Sequence, residues 1–147
     1  MIRPPRALSA TEIDALLDAA VPARIATVDR SGFPHVTPLW FVWSDGAFYL
    51  TSFPDRAHLR RLERNPRAGI CIDVEQPERG DGERPNRQIR AIGSAELFAD
   101  DHGLWTRRIT RKYLTGSTAA AREEQRAARP RTVIRLVPAK IVAVASV

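Results

Sequence analysis

The chain has 147 residues, of which 44% are hydrophobic and 27% are charged. These values are typical of one globular domain and exclude a disordered or fibrous protein. The 23 lysines and arginines outnumber the 17 acidic residues and give a net charge of +6, which predicts an anionic partner such as a phosphorylated coenzyme, a nucleic acid or an acidic membrane. The single cysteine, Cys71, lies in an apolar run and excludes a disulfide framework and a cysteine-based zinc site.

The chain contains no segment that predicts export or membrane insertion. No stretch approaches the roughly 18 apolar residues of a membrane span, and the first residues lack the apolar core of a secretory signal. We therefore expect a soluble, cytoplasmic protein that forms one domain over residues 1–147.

The first predicted element is a short helix. Ser9 and Glu12 form a capping-box pattern, and apolar residues follow at helical spacing until Pro22 ends the helix. From Arg24 the hydrophobic period becomes that of strands. Strands are predicted over residues 24–29, 35–43 and 47–51, and we expect these three to form an antiparallel meander.

The rest of the chain alternates between strands and helices. A helix is predicted over residues 55–65, a strand over 68–74, a mobile polar loop over 75–86 and another strand over 88–98. Helical spacing then covers 100–114 and, more weakly, 117–128, before a final strand over 132–147. The pattern indicates a mainly β fold in which about six antiparallel strands and their connecting helices form a small barrel.

Most familiar catalytic motifs are missing from the sequence. It contains no phosphate-binding Gly-x-x-x-x-Gly-Lys loop, no Gly-x-Ser-x-Gly elbow and no His-Glu-x-x-His motif. The three histidines, His35, His58 and His102, lie on different elements without carboxylates at ligand spacing, so no metal site is expected. The sequence therefore assigns any redox chemistry to a bound cofactor and leaves the catalytic residues unknown.

The start of the second helix is a candidate anion site. Helix N-termini present unpaired amides and a positive dipole end, and Thr51, Ser52, Arg56 and His58 add polar donors beside it. In the alternative interpretation, Asp55 caps this helix. The arginines that follow, Arg60, Arg61 and Arg64, then form a solvated face paired with Glu63.

The segment from His35 to Trp40 is unusual because neither of its faces is wholly polar. This pattern indicates that both faces are covered. Pro38 removes a hydrogen-bond donor from the middle of the predicted strand, which indicates an edge, a bulge, or a ligand or second subunit lying alongside. The alternative is an ordinary edge proline between core aromatic residues.

Several blocks of sequence together carry a family resemblance. They are residues 24–43, 48–52, 62–67, 88–97 and 108–114. In order and spacing the chain resembles the pyridoxamine 5′-phosphate oxidase-like split β-barrel superfamily, and within it the actinobacterial flavin- or deazaflavin-dependent reductases. The resemblance extends from about residue 12 to residue 144.

The resemblance implies an FMN-binding-protein-like split barrel that forms a homodimer, with two sites for FMN or the deazaflavin coenzyme F-420 at the subunit interface. By position, the residues that would line the coenzyme ring are His35, Val36, Thr37 and Pro38. Those that would hold the phosphate are Leu50, Thr51, Ser52, Arg56, Ala57 and His58. Gln88 would reach the coenzyme from the fifth strand. With coenzyme F-420 as the ligand, Arg60 and Arg61 are candidates to meet its acidic oligoglutamate tail; the alternative is that both are solvated.

Two departures from the family pattern bear on function. Oxidase-type members carry Ser-Arg-Lys at the helix start, where this chain has Arg56-Ala57-His58, and the Trp and Arg that bind vitamin B6 substrates have no counterpart near the end of the chain. We therefore expect a reductase that passes a hydride from reduced coenzyme F-420 to an unsaturated or conjugated organic acceptor. The alternatives are an FMN-dependent reductase or oxidase and a non-catalytic flavin- or deazaflavin-binding protein.

Two further expectations concern the reaction and the partner. Tyr49, Tyr113 and His35 are the candidates for a proton donor, and the sequence does not choose among them. Nucleic acid is not the expected partner, because the strands lack the interleaved basic and aromatic residues of a single-strand-binding surface.

Overall fold

A computed structural model of the chain describes residues 4–77 and 85–145. The strands in these ranges are β1 (Arg6–Ala7), β2 (Ala23–Val28), β3 (Pro34–Leu39), β4 (Phe41–Ser44), β5 (Ala47–Ser52), β6 (Arg67–Glu75), β7 (Asn86–Ala99) and β8 (Thr132–Ala145). The helices are α1 (Ala10–Asp18), α2 (Ala57–Arg64), α3 (Leu104–Tyr113) and α4 (Ala119–Ala127), and a short 3-10 turn over Asp101–Gly103 leads into α3. None of these helices has the length and apolar character needed to span a bilayer.

The strands form one eight-stranded sheet that curls into a split β-barrel. Its order is β3-β2-β6-β7-β8-β5-β4, with β1 paired to β8, and every pairing is antiparallel. The two end strands, β3 and β4, are separated along the chain by Trp40 alone. Because one residue spans only a few ångströms, the two ends of the sheet must meet there. The predicted mainly β barrel is confirmed, with eight strands instead of about six.

The predicted three-stranded meander is wrong, because the predicted strand over residues 35–43 breaks at Trp40. Its first part, β3, pairs with β2, and its second part, β4, pairs with β5. Helix α3 fixes the break. The Tyr113 ring stacks on Trp40 with 4.7 Å between centroids, the Phe41 amide donates to the Tyr113 hydroxyl at 3.3 Å, and the Lys112 ammonium donates to the Phe41 carbonyl at 3.2 Å.

The helix and loop predictions were closer to the structure. The capping box is present, since Glu12 N donates to Ser9 Oγ at 3.2 Å and Ser9 N donates to Glu12 Oε1 at 3.1 Å. The predicted loop over residues 75–86 is shorter by one residue at each end, because β6 includes residue 75 and β7 begins at residue 86. Residues 78–84 of that loop, for which mobility was predicted, lie outside the described residues.

The core of the barrel holds helix α2 against the sheet. The main cluster of buried side chains includes Leu16 of α1, Leu59 of α2, and Ile25, Phe48 and Leu50 of the sheet. Each fully buried side chain of this size contributes roughly 1.5–3 kcal/mol. This packing fixes the first turn of α2 next to β2 and to the end of β5, which is where the candidate site lies.

A β-bulge in the longest strand pair depends on a glycine. The register between β7 and β8 shifts between Ile92 and Gly93. A Cβ atom at Gly93 would lie 2.5 Å from the Val137 carbonyl oxygen, a separation far shorter than van der Waals contact. The bulge therefore requires a residue without a side chain at position 93.

Candidate functional site

A cationic cavity of about 800 Å³ lies between α2 and the turn that joins β2 to β3. The side chains that line it are Ala57, Arg60, Arg61, Glu63 and Arg64 from α2, and Asp29, Arg30, Ser31 and His35 from the turn and β3. Four arginines face two carboxylates, so the cavity carries a net positive charge and favours an anionic ligand. Four of the predicted site residues, His35, Ala57, Arg60 and Arg61, come together here.

His35 is held in this cavity by Asp29. Its Nε2 lies 2.8 Å from Asp29 Oδ2, while Asp29 Oδ1 accepts hydrogen bonds from the amides of Ser31 and Phe33 at 2.9 and 3.0 Å. The contact with His35, assisted by the two amides, lowers the pKa of Asp29. To donate to an ionised Asp29, Nε2 must carry a proton, and in the neutral tautomer with that proton Nδ1 is the acceptor.

Arg61 is fixed by a buried threonine. Its Nε donates to Thr27 Oγ1 at 2.8 Å, and Thr27 is fully buried and directly opposite His35 in the β2–β3 register. Within the described part of the chain, Glu63 forms no ion pair with Arg61 or with the neighbouring arginines of α2. Arg60, Glu63 and Arg64 are exposed, so this face is solvated as the alternative interpretation expects, but its pairing with Glu63 is not observed among the described residues.

Beside this cavity, Ser52 and His58 form a buried pair. Ser52 Oγ and His58 Nε2 are 2.8 Å apart, and the two residues are 5% and 6% exposed. Burial lowers the pKa of His58, and the nearby Arg61 and Arg56 lower it further. His58 is therefore neutral at pH 7 and adds no positive charge to the site.

The other residues predicted from the end of β5 are also turned inward. The Leu50 side chain is fully buried in the core, so any contact with a coenzyme would come from its main chain. The Thr51 hydroxyl is buried and accepts a hydrogen bond from Thr106 Oγ1 at 3.3 Å. Ser52, through its contact with His58, links this strand end to α2.

The first turn of α2 has no side-chain cap. The N-cap residue is Arg56, and no side chain accepts a hydrogen bond from the first amides, so the expected alternative of a cap by Asp55 is not observed. Ala57 is exposed at this end of the helix. Uncapped amides at a helix N-terminus are suited to binding an anion.

The four residues predicted to line the coenzyme ring lie on two faces of the edge strand β3. The register places Val36 and Pro38 on the face of Ala26, opposite the face that His35 shares with the buried Thr27. Val36 is 64% exposed, so the single chain does not cover both faces as the pattern indicated. The edge position itself is confirmed and explains how the strand accommodates Pro38.

The outer face of the sheet near Val36 is apolar. A second cavity of about 440 Å³ lies there, and its lining includes Ala26, Val28, Gly69 and Ile92. The Ile92 side chain is 58% exposed. Exposed apolar surface of this kind marks an interaction site in many proteins.

Gln88 is not close to the other predicted residues in one chain. It lies on β7, three strands from β3 in the sheet order, which corresponds to roughly 14 Å at the usual strand spacing. Its amide donates to Asn86 Oδ1 at 3.0 Å. Gln88 and His35 are therefore not neighbours in a single copy of the chain.

Two of the three candidate proton donors are engaged in structural contacts. The Tyr113 hydroxyl donates to the Val21 carbonyl at 2.7 Å, and burial raises the pKa of Tyr113 to about 12. The Tyr49 ring stacks on Trp105 at 3.5 Å between centroids, and its hydroxyl accepts from Arg135 Nε at 3.0 Å. His35 is the one of the three that lines the cationic cavity.

Sequence reasoning assigned no site role to Asp29, Arg30 and Ser31, which line the cavity, or to Thr27, which holds Arg61. Asp29 stands two residues before Ser31 in a turn that contains glycine, a pattern typical of an aspartate that accepts main-chain amides. Nothing in the local sequence marks Thr27, because its contact with Arg61 joins two distant segments. Over the described ranges, no group of three or more metal-ligating side chains could hold a metal ion.

Comparison with known proteins places the chain in a family. The family model described as pyridoxamine 5′-phosphate oxidase matches residues 9–145, whereas no curated protein sequence matches. Similar solved structures include a FAD-binding protein from Mesorhizobium loti (22% identity, TM-score 0.69, 97% of this chain and 96% of that one) and a protein titled F-420 reductase (22% identity, TM-score 0.66, 87% and 94%). A third is a heme storage protein from Vibrio cholerae (20% identity, TM-score 0.66, 91% and 94%). These likenesses show a shared fold, and the family match over nearly the whole chain shows that it belongs to the pyridoxamine 5′-phosphate oxidase family.

Proposed function

We propose that this protein is an oxidoreductase that binds a flavin-type coenzyme, with coenzyme F-420 as the first choice and FMN as the second. The observation that carries the proposal is the cationic cavity, whose lining contains four arginines and two carboxylates. Family membership supports a flavin-type coenzyme. When bound, reduced coenzyme F-420 supplies a hydride, and the proposed acceptor is an unsaturated or conjugated organic molecule.

The residues present fit such a coenzyme. The uncapped first turn of α2 suits a phosphate, and Arg61, oriented by Thr27, presents the rest of its guanidinium group for a charge-assisted hydrogen bond. Coenzyme F-420 carries an acidic oligoglutamate tail that FMN lacks. The excess of positive charge along α2, from Arg60 to Arg64, therefore favours coenzyme F-420 over FMN.

The chain's own contribution would be binding, orientation and proton handling. The exposed edge strand β3 offers a place for a flat ring system beside the cavity. His35 is oriented by Asp29 and can hold or deliver a proton at Nδ1. No side chain is required as a nucleophile in this scheme.

The proposal includes a homodimer. The apolar outer face around Val36 and Ile92 would be covered by a second copy of the chain, which would remove this surface from water. The same arrangement would let Gln88 of one copy approach the coenzyme bound by the other copy. Light scattering tests this point, since a mass near that of one chain would remove half of the proposed site.

The central experiment is a fluorescence titration of the coenzyme-free protein with coenzyme F-420 and with FMN. We expect tighter binding of coenzyme F-420. We also expect Arg60→Gln and Arg61→Gln to weaken coenzyme F-420 binding about tenfold and FMN binding less, because FMN has no acidic tail. Arg122→Gln, a substitution of an exposed arginine on α4, is the matched control. Sub-micromolar FMN binding without any response to coenzyme F-420 would overturn the first choice in favour of an FMN-dependent enzyme.

Turnover is tested separately from binding. Protein loaded with reduced coenzyme F-420 is mixed with a panel of enones and quinones, and reoxidation is followed by absorbance. Oxidation faster than with free coenzyme supports a reductase. If none of the acceptors is reduced, the non-catalytic alternative is favoured; the heme storage protein with a similar fold illustrates such a role.

A further inference from the structure

Three arginines from distant parts of the chain surround one aromatic ring. The guanidinium carbons of Arg56, Arg129 and Arg131 lie 5.5, 4.3 and 4.1 Å from the centre of the Phe53 ring. Arg56 is the N-cap of α2, whereas Arg129 and Arg131 lie on the connection between α4 and β8. We call this group the Phe53 arginine cluster.

In the part of the chain that the structure describes, the arginines of the Phe53 arginine cluster are not paired with carboxylates, although Asp100 and Asp101 line one cavity with Arg129 and Arg131. Among residues 4–77 and 85–145, none of its three arginines forms an ion pair. Asp100 is the carboxylate that acts on Arg131, but its oxygens accept from the amides of Trp105 and Thr106 at 2.9 and 3.0 Å. Asp100 is thus committed to the start of α3.

Arg131 also carries an unsatisfied donor. Its Nε atom is buried and has no hydrogen-bond partner, although buried polar atoms in folded proteins nearly always have one. Burial, together with the charges of Arg126, Arg129 and Arg56, lowers the pKa of Arg131 to about 10. Contact with the Phe53 ring stabilises a cation but leaves this N–H group unpaired.

The Phe53 arginine cluster is next to the proposed coenzyme site. Ser52 pairs with Thr132 in the β5–β8 register, so Arg131, which precedes Thr132, lies beside the end of β5. Arg56 joins the cluster directly to the uncapped first turn of α2. A phosphate group bound at that turn would therefore lie near all three guanidinium groups.

We propose that Arg129 and Arg131, together with Arg56, bind a phosphate group at the start of α2. The identity of that phosphate as part of the coenzyme rests on the proposed function, whereas the phosphate chemistry follows from the cluster itself. Guanidinium groups match phosphate oxygens in charge and geometry. The α4–β8 connection thus supplies positive charge that Ala57 and the neutral His58 do not provide at the helix start.

The test compares coenzymes with and without their phosphate. Binding of FMN and riboflavin, and of coenzyme F-420 and its phosphate-free deazaflavin, is measured for wild type, Arg129→Gln, Arg131→Gln and the control Arg122→Gln. We expect each cluster variant to bind the phosphorylated forms about ten- to a hundredfold more weakly, with no change for the phosphate-free forms or for the control. Equal loss for both forms, or no loss for either, would overturn the proposal.

Two further measurements keep the result independent of folding and of the coenzyme. Arg129 is exposed, so its variant reports on the site even if Arg131→Gln fails to fold, and Arg131→Lys is expected to retain part of the affinity. Thermal unfolding with inorganic phosphate tests the site without any coenzyme. If phosphate stabilises wild type but not Arg129→Gln while no coenzyme binds, the anion site stands and the proposed function fails. If phosphate stabilises neither and coenzyme affinity is unchanged, the anion site fails.

Discussion

The buried contact between Ser52 and His58 allows a quantitative test of how the strand end is joined to α2. Replacing Ser52 by alanine removes the oxygen that lies 2.8 Å from His58 Nε2. Both residues are almost fully buried, so water cannot readily take the place of the hydroxyl. The imidazole nitrogen then remains buried without a partner.

The expected cost follows from the burial of the two groups. A neutral hydrogen bond contributes about 0.5–1.5 kcal/mol, and a buried polar group left without a partner costs about 1–3 kcal/mol. We expect Ser52→Ala to lower the free energy of unfolding by about 2 kcal/mol. The double variant Ser52→Ala with His58→Leu should be less destabilised than the sum of the single variants by about 1 kcal/mol, because it leaves no unpaired nitrogen.

The assay is equilibrium unfolding in urea, monitored by tryptophan fluorescence, for the wild type, both single variants and the double variant. Ser44→Ala is the control, because the hydrogen bond that Ser44 accepts from the Arg108 side chain is exposed to water. We expect this substitution to cost less than about 0.5 kcal/mol. A Ser52→Ala midpoint equal to that of wild type, or strict additivity in the cycle, would refute a buried pair that joins β5 to α2.

Three further outcomes are expected. Gly93→Ala should destabilise the protein by about 2 kcal/mol or more, because the new Cβ would clash with the Val137 carbonyl. Gly69→Ala should be tolerated, because its nearest contact would be at 3.7 Å. Similar urea midpoints for the two variants would contradict this. Since the pKa of His58 is lowered by burial, the unfolded chain takes up a proton near pH 6.5 that the folded chain does not. As the pH decreases below 6.5, wild type should therefore lose more stability than His58→Leu. Burial lowers the pKa of Lys112 to about 8. Between pH 8 and about 10.5 the Lys112 side chain is therefore protonated in the unfolded chain but not in the folded chain. Over this range, urea titrations should show that the stability of wild type rises with pH relative to that of Lys112→Met.

The sequence predicted local structure well where local contacts determine it. The capping box of Ser9 and Glu12 is a contact between residues three apart, and the structure has it. By contrast, the break at Trp40 depends on Lys112 and Tyr113 of α3. No hydrophobic period reveals such a contact, because the residues that enforce the break are some seventy positions away.

The same reason limited the prediction of the candidate site. Arg56 and His58 were found because they belong to one helix start, and the family resemblance gave their neighbours a role. The sequence did not indicate that His58 is neutral and paired with Ser52, since this depends on burial. Arg129 and Arg131 went unnoticed because they meet Phe53 only after α4 and β8 are in place.

The position of β8 in the sheet also constrains the order in which the strands can pair during synthesis. β8 pairs with β7 on one side and with β5 on the other, and it is the strand of the described sheet that connects the β3-β2-β6-β7 and β5-β4 halves by hydrogen bonds. It is also the last of these strands to be synthesised. Until β8 has been synthesised, the two half-sheets cannot be joined through it and keep open edges, and such edges are prone to pairing with other chains. Pairing of β8 is therefore the step that joins the two half-sheets and covers these edges.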